Sequence, residues 1–84
     1  MAYRVIARPA FRDQLRNAPP VLQGYVAGAV ALLRVDPLSA SVAFTIINEG
    51  DFRTLVFPGG RGFLRYEVVQ EDQIVFLVHL TWLE

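Results

Sequence analysis

The chain has 84 residues, 54% of them hydrophobic, with no cysteine, one histidine, and eight basic side chains balancing eight acidic ones. That excludes disulfides and thiolate chemistry, makes a structural metal unexpected, and leaves no apolar run near the ~18 residues of a membrane span. The zero balance conceals a dipole, because residues 1–34 carry five Arg against Asp13 alone and residues 35–84 carry three Arg against seven acids; a basic end of this kind suits an acidic partner or a phosphate backbone.

Ala2–Ala7 alternates loosely and predicts a strand that ends before Pro9. The stretch PAFRDQLRN follows, with Pro9 suited to a first helical position and Phe11 and Leu15 four apart, so a short helix is expected. Arg8, Arg12 and Arg16 are also four apart and are expected on one face of it. A second helix starts at Pro20. Its apolar positions Val21, Leu22, Tyr25, Val26, Ala29, Val30 and Leu33 follow helical spacing, and the pre-proline Asp36 should end it. Gly24 and Gly28 sit inside this helix, and close packing against the first helix is the expected reason, ahead of a dimer groove.

Val42–Ile47 is ambiguous between strand and loop, and Glu49-Gly50-Asp51 predicts a turn. Phe52–Phe57 and Gly62–Val69 predict two strands joined at Pro58-Gly59-Gly60, and Gln70–Gln73 predicts a polar turn. Ile74–Trp82 is almost continuously apolar and is expected to be an interior strand buried on both faces. The order is β-α-α-β-β-β, an α+β fold with two N-terminal helices packed on a curved, mainly antiparallel sheet, in one domain spanning 1–84. Two short helices cover only one sheet face, so a partner is expected on the other. No signal peptide opens the chain, and a soluble, cytoplasmic protein without a membrane partner is expected.

Three stretches in this order, MAYRVIARPAFRDQL, LLRVDPL and DFRTLVFPGGRGFLRYEVVQEDQIVFLVHL, resemble the RelE/ParE superfamily of toxins from type II toxin–antitoxin systems over almost the whole chain. The resemblance implies a toxin neutralised by a cognate antitoxin that wraps it, as a hetero-oligomer or alongside a homodimer. The RelE-like branch implies an endoribonuclease that cleaves mRNA in the ribosome. The ParE-like branch implies inhibition of DNA gyrase instead, and a non-catalytic relic that only binds an antitoxin is the third reading. No cofactor or metal is implied.

RNA cleavage by 2′-OH attack needs a proton acceptor, stabilisation of the pentavalent phosphate and a proton donor for the leaving oxygen. By resemblance, Arg53 falls at a basic position on the strand before the Gly turn, while Leu55 and Phe63 stand where other basic residues of the family occur. Trp82 and Leu83 occupy the place of a further one. Arg61 and Arg65 flank Phe63 and share its side if the strand alternates without a bulge, for which Gly59, Gly60 and Gly62 leave room. Arg61, Arg65 and His79 are therefore the candidate catalytic residues, and Arg53, Arg12 and Arg16 the candidate RNA-phosphate contacts. The guanidinium fork suits phosphate, and imidazole titrates near neutral pH. The alternative for the strand arginines is a solvated sheet face paired with Glu67 and nearby acids. For His79 the alternative is a ring hydrogen-bonded to a backbone carbonyl.

Overall fold

The computed structural model describes residues 2–38 and 44–83. Strand β1 (Arg4–Ala7) leads into helix α1 (Pro9–Arg16) and helix α2 (Pro20–Val35), followed by β2 (Thr45–Glu49), β3 (Phe52–Val56), β4 (Gly62–Val69) and β5 (Ile74–Trp82). The expected α+β class holds, and the ambiguous segment supplies a fifth strand, Thr45–Glu49; residues 42 and 43 lie outside the described residues. The sheet order is β1-β5-β4-β3-β2, with β1 parallel to β5 and every other pair antiparallel.

Each helix opens on a proline in its first turn, where the missing N–H costs no hydrogen bond. Helix α2 ends as Asp36, next to Pro37, takes an extended conformation. It buries Leu22, Val26, Ala29 and Leu33, a stripe at helical spacing, and α1 buries Phe11. These side chains meet Leu55, Phe57, Leu64, Tyr66, Val68, Val75, Leu77 and Leu80 from one face of the sheet. Tyr25 and Phe44 close the core around Phe57, with ring centroids 5.7 and 6.3 Å away.

Gly24 and Gly28 lie on the exposed side of α2, and a Cβ added at either would touch nothing within 4 Å. The expected close packing against α1 is not there, because Leu22, Val26 and Ala29 already form the contact face. The glycine that packing does require is Gly62, where a Cβ would stand 2.9 Å from the Thr81 carbonyl oxygen and 3.1 Å from Leu22 Cδ1.

The expectation for Ile74–Trp82 is met in part. Strand β5 is interior, between β1 and β4. It buries Val75, Leu77 and Leu80 on one face, whereas Ile74, Phe76 and Val78 are half-buried. Among the described residues no second layer covers that other face; a guanidinium, that of Arg8, lies 4.8 Å from the centre of the Phe76 ring.

Candidate functional site

The face of the sheet turned away from the helices carries the candidate chemistry. Along β4, Gly62, Leu64, Tyr66 and Val68 are buried, so Phe63, Arg65, Glu67 and Val69 point the other way. Register then builds a row across the sheet on this open face: Ile47 opposite Thr54, Thr54 opposite Arg65, and Arg65 opposite His79.

His79 reaches that row because of a β-bulge. Arg65 pairs with His79 but Tyr66 pairs with Leu77, so Val78 is an extra residue in β5. Before it the odd-numbered Val75 and Leu77 point into the core; after it Leu80 does, and His79 is exposed. A regular strand would put His79 on the face of Val75 and Leu77. The bulge falls in β5, not among the glycines before β4.

Three arginines stand on this face; Arg4, on the side of Ile6 in β1, is exposed, and the other two are engaged. Arg65 Nη1 lies 3.2 Å from Glu49 Oε1, and its guanidinium stands 5.0 Å from the centre of the Phe52 ring. Arg8 Nη2 lies 3.4 Å from Glu67 Oε1 above Phe76. Ion pairs this exposed contribute only about 0–1 kcal/mol each. A guanidinium has five N–H donors, and the contact with Glu49 uses Nη1 alone, so Arg65 keeps donors for a second anion. The carboxylate found on Arg65 is Glu49, whereas Glu67 pairs with Arg8.

Among the described residues His79 is bonded to a side chain and not to a backbone carbonyl. Its Nε2 lies 3.1 Å from the Gln14 side-chain nitrogen, and Gln14 Oε1 accepts the Leu80 N–H at 2.8 Å. Gln14 was absent from the sequence candidates, and no sequence signal marks it. The contact exists because β1 ends at Ala7 and α1 then runs beside the uncovered edge of β5.

The other candidates do not join this row. Arg53 pairs with Tyr66, so it lies on the helix side of the sheet, opposite to Arg65. Convergence of Arg53 with Arg61 and Arg65 is thereby corrected. Arg53 Nε and the Tyr66 hydroxyl are both buried without a hydrogen-bond partner among the described residues. Burial raises the Tyr66 pKa above its usual value, and the positive charge of Arg53 opposes part of that rise. Arg61 precedes β4 in a helical conformation, φ −84° and ψ −9°, so strand alternation does not extend to it. Four residues at ~3.3 Å each separate it from Arg65 by about 13 Å along the strand. On α1, Arg12 and Arg16 are exposed and Arg16 pairs with Asp13. Arg8, at the N-cap, instead turns onto the sheet, so the expected row of three arginines divides.

Neither a family model nor a curated protein matches the sequence. Solved structures do match. The archaeal RelE–RelB complex from Pyrococcus horikoshii aligns with TM-score 0.78 at 20% identity, over 98% of this chain and 96% of that one. The intact RelBE toxin–antitoxin complex of E. coli aligns with TM-score 0.79 at 16% identity, over 99% of each chain. The chain has the RelE toxin fold. The RelBE2 toxin–antitoxin complex from Mycobacterium tuberculosis shares it more loosely, with TM-score 0.63 at 17% identity over 99% of this chain and 100% of that one. Two departures noted in the sequence take different places on this RelE fold. Leu55 is fully buried in the core, where a charge would be stripped of water, while Phe63 stands on the open face at 41% exposure.

Proposed function

We propose that this chain is the toxin of a type II toxin–antitoxin pair and acts as a RelE-like endoribonuclease on mRNA in the ribosome. The observation that carries the reading is the row Thr54–Arg65–His79 on the uncovered face of a RelE fold. It places a guanidinium that keeps free donors next to an imidazole. Arg65 would hold the scissile phosphate and neutralise the charge that grows on it, the largest contribution in phosphoryl chemistry of this type. Arg61 and the α1 arginines Arg12 and Arg16 would contact flanking phosphates, whose charge dominates affinity for any nucleic acid. A cognate antitoxin would cover the open face, where Ile6, Ile47 and Phe63 are exposed, and exchange its own carboxylates for those now on Arg65 and Arg8.

The same face also favours a second reading, a relic that binds an antitoxin but does not cleave RNA. Phe63 occupies a position where the resemblance implies a basic residue, and Arg65 and Arg8 each already hold a carboxylate. Inducing the chain alone in a bacterial host decides between them. A toxin arrests growth, and loss of amino-acid incorporation before thymidine incorporation supports mRNA cleavage. The reverse order points to gyrase, and unimpaired growth to the relic.

A further inference from the structure

The contact between Gln14 and His79 joins two nitrogens, and taken alone it leaves open which of them carries the hydrogen. The other end of the amide resolves this. The Leu80 backbone N–H can only donate, so the Gln14 atom 2.8 Å from it must be the oxygen. A flipped amide would set two donors against each other. The Gln14 NH2 therefore faces the ring and donates, and the ring Nε2 must answer with its lone pair. In the neutral imidazole the single proton then resides on Nδ1, which has no hydrogen-bond partner among the described residues.

The fold builds this clamp from three separate features. β1 leaves the sheet after Ala7, and its last bond to β5 is from the Arg8 N–H to the Leu77 carbonyl at 3.0 Å. Beyond that point no strand among the described residues pairs with this edge of β5, and α1 brings Gln14 to the Leu80 N–H. The bulge at Val78 turns His79 onto the open face while Leu80 stays in the core. One amide thus satisfies a strand edge and fixes the ring nitrogen it meets, leaving Nδ1–H as the remaining donor of the residue that stands opposite Arg65.

We propose that Gln14 is a positioning residue that holds neutral His79 as its Nδ1–H tautomer, so that the ring meets a phosphodiester as a hydrogen-bond donor and not as a general base. The donor role rests on the reading of this face as an RNA-cleaving site; the tautomer does not. While the clamp is closed the ring has no free lone pair, so it does not take the proton of the attacking 2′-OH.

His79 is the only histidine, so one residue accounts for every imidazole signal. The full chain labelled with 15N-histidine, held near pH 8 where imidazole is ordinarily neutral, should show a protonated, pyrrole-type Nδ1 and a pyridine-type Nε2. Free histidine prefers the opposite tautomer. Gln14→Glu keeps an acceptor for the Leu80 N–H but offers the ring a second acceptor, and should move the proton to Nε2. A parent protein with its proton mainly on Nε2, or a tautomer ratio unmoved by Gln14→Glu, overturns the clamp. For the donor role, His79→Asn retains an N–H near the Nδ1 position and should cleave ribosome-bound mRNA within about tenfold of the parent. His79→Ala should lose roughly 10- to 100-fold, the worth of a hydrogen bond to a charged group. If Asn is as poor as Ala, the donor role is overturned. Full activity of His79→Ala also overturns the donor role, whereas a parent protein that does not cleave ribosome-bound mRNA removes the reading of this face; the Nδ1–H tautomer in the parent leaves the clamp standing in either case.

Discussion

Arg65 of β4 and His79 of β5 stand directly opposite each other on the open face of the sheet, and one extra residue, Val78, brings this about. The pair joins a permanent cation to a ring that can donate a hydrogen bond. A phosphate bound between the two strands would meet both.

Arg65→Ala is expected to weaken RNA or ribosome binding by about 1.5–3 kcal/mol, the loss of a charge-assisted contact. Its effect on folding should be small, since the ion pair with Glu49 is exposed on both sides. Glu49→Gln releases Arg65 from its carboxylate and should act in the opposite direction, tightening RNA binding. Filter binding at one fixed salt concentration measures both. Equal binding by all three proteins would make Arg65 a surface ion pair and nothing more.

Phe63→Arg tests the departure at that position. Phe63 is exposed and lies two residues from Arg65 on the same face, about 6.6 Å along the strand. An arginine there should fold normally and add one phosphate contact. For single-stranded RNA the dependence of log affinity on log salt should steepen by roughly 0.7. An unchanged slope would show that RNA does not cross this part of the sheet.

The glycines should separate by position in thermal or urea melts. Gly62→Ala drives a methyl group towards the Thr81 carbonyl and Leu22, and is expected to cost about 1–3 kcal/mol as overpacking does. Gly24→Ala and Gly28→Ala each fill open space in a helix interior and should stabilise by up to about 1 kcal/mol. Loss of stability in either α2 variant would argue that something packs on this helix face in solution.

Tyr66 has a phenol pKa raised by burial, with Arg53 working against the rise. The folded state thus holds the phenolic proton more tightly than the unfolded chain does. The stabilisation is fully present below the unfolded value of about 10 and is lost as pH climbs through the folded value. Tyr66→Phe should flatten the fall in stability above about pH 10, and at neutral pH it should change stability by no more than about 1 kcal/mol, because the Arg53 guanidinium lies beside the hydroxyl but not in good hydrogen-bond geometry. Urea midpoints between about pH 8 and 11 give the comparison. An alkaline slope identical in parent and variant would contradict it. Arg53→Met should leave RNA binding unaltered, since Arg53 faces the helices.

Local chemistry is legible in the sequence, and most of the fold is local chemistry. Pro9 and Pro20 mark the helix starts, the stripe Leu22, Val26, Ala29 and Leu33 marks the buried side of α2, and Asp36 before Pro37 marks its end. Gly and polar runs divide the strands. Each of these signals acts within a few residues, so no tertiary information is needed to read it. The apolar run Ile74–Trp82 likewise identifies an interior strand.

The side of the sheet on which a given side chain stands is another matter. Arg53 and Arg65 part because β3 pairs so that Arg53 meets Tyr66, a register set by the tight turn in which Gly59 and Gly60 take positive φ. His79 faces outward because of a bulge that exists only as a mismatch between β4 and β5. Arg8 leaves its helical companions for Phe76 and Glu67, and Gln14 finds Leu80 and His79 some 65 residues away in the chain. Shifting a strand by one residue exchanges its two faces. The residue types at the site were thus set by the sequence alone, but which of them stand together was decided by pairing between strands distant in the chain.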